Sequence, residues 1–199
     1  MSRRELLLRT GLGAAVALVA GLAYRSLQFH FLPDSSLRTQ CPGWDLLPFH
    51  PLWLWPYLSM FALVGLPWFL LPWPGAVTCF ARRLLATAAV GWVCFALFPT
   101  ACLRPSPEGH GFAYGLLLAL DAPNNCMPCL HSAMALLAAL ALARDSAAFS
   151  GLAARLLLAA WVAVISLSIV ALRQHTGLDT LAGLALGALA GLLPRARGA

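Results

Sequence analysis

Apolar runs of similar length, broken by single or paired arginines, most limit what this chain can fold into. Crossing about 30 Å of hydrocarbon takes roughly 20 apolar residues as a helix, and fewer where flanking arginines reach the interface. Six such runs can be read, at about 8–28, 52–72, 78–98, 130–146, 153–172 and 176–194. In lipid every backbone N–H and C=O must be satisfied within the segment, which helices of this length achieve. The expected fold class is all-α: one polytopic membrane domain over residues 1–199, a bundle of six transmembrane helices. Residues 109–121 are too short to span and are expected to lie in the interface or re-enter it.

Only 10% of the residues are charged and 61% are hydrophobic, far from the surface a soluble domain needs. All 13 basic residues are arginine, and the net charge is +6. They form no basic stripe with interleaved aromatics, so nucleic acid is not an expected partner. They report topology instead. With the N-terminus in the cytoplasm, Arg3, Arg4, Arg9, Arg82, Arg83, Arg144, Arg155, Arg195 and Arg197 lie inside. Arg25, Arg38, Arg104 and Arg173 lie outside, so nine against four obey the positive-inside rule. Both termini are then cytoplasmic. The expected setting is a bacterial inner membrane with the outer face in the periplasm. Residues 1–23 also have features of a cleavable leader: Arg3 and Arg4 before an apolar run, and small residues at Gly21 and Ala23. A retained first helix is preferred, because five more spans follow it.

This topology puts all five histidines outside: His30, His50, His110, His131 and His175. The two long connections, about 29–51 and 99–129, are outside as well, which suggests a site there. His131 and His175 begin the fourth and sixth helices, whose outward N-termini favour anions. Arg104 follows the outer end of the third helix. His175 and Asp179 are four residues apart, so on a helix the carboxylate could hold the imidazole N–H. Gly183, Gly187 and Gly191 continue that face as a small-residue stripe, which predicts close packing on another helix. A lone histidine or first-turn aspartate would usually be only an interfacial polar group. Two histidines, an aspartate and an arginine at one depth make a stronger case. Asp45, His50 and Glu108 read as solvated loop residues.

Three segments then resemble a known family. The stretch Asn124-Asn125-Cys126-Met127-Pro128-Cys129-Leu130-His131-Ser132-Ala133 resembles the N-x-x-P-S-L-H-x-A motif of the type-2 phosphatidic acid phosphatase superfamily. Arg173-Gln174-His175-Thr176-Gly177-Leu178-Asp179 resembles its [K/R]-Q-H-x-x-x-D motif, and Phe98-Pro99 with Arg104-Pro105 its F-P…R-P element. Pro48, Phe49, Pro51 and Tyr57 resemble the inositolphosphotransferase branch, which includes sphingolipid headgroup synthases. The chain departs from the broader pattern at Leu97, Ile169 and Cys129, where the family has Lys, Arg and Ser.

The resemblance implies metal-free, cofactor-free phosphoryl transfer on a membrane lipid. His175 would attack phosphorus and become a phosphohistidine. Asp179 would orient His175. His131 would protonate the leaving oxygen and then activate water. Arg104, Arg173 and Cys129 would surround the phosphate. Hydrolysis of a lipid phosphate is the first expectation. Transfer of a phospho-headgroup to a lipid alcohol, ceramide or diacylglycerol, is the alternative.

The cysteines suggest a rival. Cys79 and Cys94 read as packing residues, while Cys41, Cys102, Cys126 and Cys129 fall on the oxidising side. Cys126 and Cys129 form a C-x-x-C at a helix N-terminus, where a thiolate is stabilised, so a membrane thiol oxidoreductase is a second class. A structural disulfide, such as Cys41 to Cys102 or Cys126, is the plain alternative. A lipid-binding or transport protein is a third class, but no inverted repeat supports it.

Overall fold

A computed structural model gives the fold over residues 1–30, 37–38 and 47–193. Its helices are α1 (Arg3–His30), α2 (Leu54–Leu70), α3 (Gly75–Leu97), α4 (Phe112–Leu120), α5 (Leu130–Asp145), α6 (Leu152–Ala171) and α7 (Gly177–Leu192). A 3-10 turn, Pro51–Trp53, leads into α2, with the His50 ring accepting the Leu52 N–H at 3.2 Å. Two short strands, β1 (Leu37–Arg38) and β2 (Thr100–Ala101), pair in parallel, Leu37 opposite Thr100.

The described residues are all-α apart from that pair. Among the described residues four helical segments are long and apolar enough to cross a membrane: Arg3–Leu27, Pro51–Leu70, Gly75–Leu97 and Leu152–Ala171. The runs expected at 130–146 and 176–194 form helices α5 and α7, each of 16 residues. At about 1.5 Å per residue each covers about 24 Å, short of a full hydrocarbon core. For α5 a place inside the bundle accounts for this. α5 is almost wholly buried, with Ala133, Ala135, Ala138, Ala139 and Ala141 all hidden, whereas α7 buries only its glycine face and leaves Leu178, Leu181, Leu189 and Leu192 exposed. The segment at 109–121 contains only the nine-residue α4.

α5 is the hub. It packs on α2, α3, α6 and most extensively on α7. α5 and α7 run parallel, because Gly183 faces Cys129 and Ser132, Gly187 faces Ala133, and Gly191 faces Leu140. The glycine stripe thus lies where its spacing predicts, with all three residues buried. A side chain at Gly187 would overlap the Ala133 carbonyl, a backbone atom that cannot swing aside. Gly187→Ala is therefore expected to cost about 3 kcal/mol, read as a lower midpoint of detergent unfolding. An unchanged midpoint would mean the helices are not in this contact.

Three of the arginines cap helix ends. Arg9 donates to the Trp68 and Leu71 carbonyls at the end of α2, both at 2.9 Å. Arg83 and Arg144 donate to the Gly191 carbonyl at the end of α7, at 2.8 and 3.2 Å. Carbonyls of a last helical turn have no partner within the helix and carry partial negative charge, so a guanidinium suits them. These caps sit at the end of the bundle opposite the N-termini of α5 and α7.

Candidate active site

The two helix starts bring the histidines together. α7 begins at Gly177, with Thr176 as its N-cap, so His175 lies in the turn that follows α6. That turn is sharp because Arg173 takes φ 57°, a left-handed conformation unusual for a side chain of this size. Cys129 is the N-cap of α5, and its N–H donates to the Asp179 carbonyl at 2.9 Å, which locks the two helix starts side by side. His131 Nδ1 and His175 Nε2 consequently stand 3.2 Å apart.

Each outer ring nitrogen is also held. His175 Nδ1 lies 2.9 Å from the Cys126 carbonyl, which can only accept, so that nitrogen carries the proton. His175 Nε2 is then bare and accepts from His131 Nδ1–H. His131 Nε2 in turn accepts from the Tyr57 hydroxyl at 2.9 Å. One assignment of protons satisfies the whole chain, Tyr57 to His131 to His175 to Cys126. Thr100 fixes its far end: its hydroxyl accepts the N–H groups of Cys126 and Met127 at 3.2 and 2.9 Å.

Asp179 does not brace His175 as its spacing suggested. Its carboxylate accepts the Thr176 N–H at 2.8 Å while Thr176 accepts the Asp179 N–H at 3.2 Å, a reciprocal capping box. Its Oδ2 also accepts from the Cys102 thiol at 3.5 Å. The i, i+4 rule needs both residues on the helix, and His175 precedes it. The Cys126 carbonyl does the bracing instead.

Arg104 is buried with Asp121. One guanidinium nitrogen donates to Asp121 Oδ2 at 3.1 Å and another to the Asp121 carbonyl at 2.5 Å. The Tyr24 hydroxyl donates to Asp121 Oδ1 at 2.7 Å, tying α1 to the site. Burial raises the Asp121 carboxyl, but the charge of Arg104 and then that of His131 outweigh it and hold it below the usual range. Arg173 donates to the Leu47 carbonyl at 3.3 Å. Asp121, Tyr24 and Thr100 were not singled out in the sequence. Asp121 had one usable signal, as an acidic residue 17 positions after Arg104 in the same outer connection.

The C-x-x-C is split between two environments. The Cys126 thiol donates to the Pro123 carbonyl at 3.5 Å, and the neighbouring Cys102 thiol together with burial pushes it well up. Cys129 turns instead to the histidines, its Sγ and one ring nitrogen of each lying within 4.8 Å of one another. Burial pushes Cys129 up to about 12, which overrides the helix N-terminus expected to stabilise a thiolate. Cys79, Cys94, Cys102, Cys126 and Cys129 are thiols, and Cys41 lies outside the described residues.

Burial, reinforced by the charges of His131 and Arg104, pushes His175 down to about 3. The imidazole is therefore neutral in the folded chain at pH 7. Its folded pKa lies below the unfolded value near 6.5, so the unfolded chain binds more protons between the two. Stability is complete above about pH 6.5 and falls as pH drops toward about 3. Thermal unfolding in detergent from pH 8 to 4 is expected to show this fall, and His175→Asn to flatten it.

An apolar cleft of about 300 Å³ opens beside His131. Val16, Tyr24, Met60, Trp68, Leu84 and His131 are among its walls. His175 is buried, and His131 is half-buried where the cleft begins. Comparison with protein families, curated proteins and solved structures found no match.

Proposed function

We propose that this chain is an integral membrane enzyme that hydrolyses a lipid phosphate ester through a phosphohistidine at its outer face. The observation that carries the reading is the His131–His175 contact at 3.2 Å, with every outer ring nitrogen held. A nucleophile needs a lone pair aimed into the site, and His175 Nε2 has one. A general acid needs a proton within reach of the leaving oxygen, and His131 Nδ1–H faces the same point. An entering phosphoryl group takes the place of the direct hydrogen bond, with phosphorus about 3 Å from Nε2. A monoanionic phosphate ester brings one proton, which passes to His131 Nε2 as the Tyr57 hydroxyl turns to accept it. The resulting imidazolium protonates the departing alkoxide from Nδ1, and the bare Nδ1 of the neutral ring next takes a proton from water that attacks the phosphohistidine.

Further features support the reading. The N-termini of α5 and α7 point at the pair and favour the spread negative charge of a transferring phosphoryl group. Arg104 adds a positive charge felt by both histidines. Asp179 contributes by starting α7 immediately after His175. The apolar cleft beside His131 suits the tail of a membrane lipid. For topology, the arginine caps at the opposite end support six crossings with cytoplasmic termini, α5 crossing inside the bundle and α7 at its edge with an apolar face toward lipid. The site would then face the periplasm of a bacterial inner membrane. A thiol oxidoreductase is less well supported, because Cys126 and Cys129 have separate partners and both thiols are held protonated.

The test is to trap the intermediate. Protein in detergent, mixed briefly with a 32P-labelled lipid phosphate and quenched in alkali, is expected to carry label that is stable to base and lost in acid. Peptide mapping should place it on His175. Turnover with no such label, or label on a cysteine, would reject the mechanism. Addition of a diacylglycerol separates water from a lipid alcohol as acceptor, since transfer yields a new lipid phosphate.

A further inference from the structure

The cluster that brings Cys129 to the two histidines has the composition of a metal site. We propose that Cys129, His131 and His175 together bind a borderline-soft divalent cation such as Zn2+, and that the bound cation holds the site shut.

The geometry fits at three points. Zn–N bonds of about 2.0–2.1 Å place two nitrogens on one tetrahedral ion about 3.3 Å apart. His131 Nδ1 and His175 Nε2 already stand 3.2 Å apart, so neither helix start has to move. The thiol is the third ligand. Its Sγ lies within 4.8 Å of a ring nitrogen of each histidine, and closing to the roughly 3.6 Å expected for sulfur and nitrogen on one zinc needs a shift of about 1.2 Å at most. Imidazole and thiolate favour zinc and its neighbours over magnesium or calcium.

The outer partners match as well. Metal-bound histidines usually have the other ring nitrogen held by an oxygen. Here the Cys126 carbonyl holds His175 and the Tyr57 hydroxyl holds His131. Binding needs both inner nitrogens bare. His175 Nε2 is bare already. His131 shifts its proton from Nδ1 to Nε2, and the Tyr57 oxygen changes from donor to acceptor, which a hydroxyl can do by rotation. Cys129 releases its proton to solvent and binds as thiolate, so binding strengthens as pH rises. Three protein ligands leave a fourth position toward the cleft, for water.

Inhibition rests on the phosphohistidine reading, since the cation would occupy the lone pair with which His175 attacks. Cation binding itself does not. Co2+ is a suitable probe, because a thiolate ligand gives it an intense near-ultraviolet charge-transfer band. Metal-free protein titrated with Co2+ is expected to develop that band with one equivalent and lose it when Zn2+ is added. Cys129→Ser should abolish the band and weaken Zn2+ binding by at least about tenfold, or 1.4 kcal/mol. Cys79→Ser, in α3, should leave both unchanged, and circular dichroism checks that each variant is folded. No band at saturating Co2+, or a band that survives Cys129→Ser, overturns the site. Two outcomes keep the readings apart. Phosphate release from metal-free protein without a band rejects the cation site alone. A band without any phosphate release rejects the phosphatase alone.

Discussion

His131→Ala is expected to lower hydrolysis of an alkyl phosphate about 10²–10⁴-fold, yet to lower that of an aryl phosphate far less. An alkoxide needs a proton to depart, whereas a phenolate with electron-withdrawing groups leaves without one. His175→Ala is expected to remove both activities by at least about 10⁴-fold, because no leaving group replaces a nucleophile. The contrast follows from which nitrogen is bare. His175 gives its Nδ1 proton to Cys126 and keeps Nε2 open, while His131 aims a proton at the same point. Steady-state rates on the two substrates measure the contrast. Equal losses on both substrates for His131→Ala would remove it from the acid's role.

Asp121→Ala carries the largest expected loss of stability, about 3–5 kcal/mol. Its carboxylate is the partner of Arg104, and the two side chains are 12% and 6% exposed. Removing it strands a buried guanidinium and also takes the acceptor from Tyr24. An exposed pair would cost about 1 kcal/mol or less, so the size of the effect tests burial directly. The double variant Asp121→Ala with Arg104→Leu should recover much of the loss, since no charge is then left without its partner. Urea or dodecyl sulfate unfolding in mixed micelles gives both numbers. A cost under about 1 kcal/mol for the single change would mean that water reaches the pair.

The sequence made the helices legible through run length, and the α5–α7 contact through the Gly183, Gly187 and Gly191 stripe. The meeting of His131 and His175 follows from two helix starts at one depth. The partners of those rings did not follow. Whether Asp179 faces His175 depends on where α7 begins, and a boundary shift of two residues turns a helical neighbour into a cap. The brace came from a backbone carbonyl, which no residue type can advertise. Tyr57 reaches His131 across 74 positions and Tyr24 reaches Asp121 across 97, distances at which periodicity carries no information. The shortness of α5 was not legible either, because a helix sheathed by its neighbours has no reason to match the bilayer.

Under the proposed topology the apolar walls that α1, α2 and α3 give the cleft meet His131 at the outer rim of the bilayer, so the two imidazoles would stand at a phase boundary. Whatever docks there must belong to both phases at once. The hollow holds roughly ten methylene groups, taking each as close in size to a water at about 30 Å³. A surfactant tail of similar length fits the same space, so the solubilising medium itself will act as a competitor, and measured turnover will depend on its chain length.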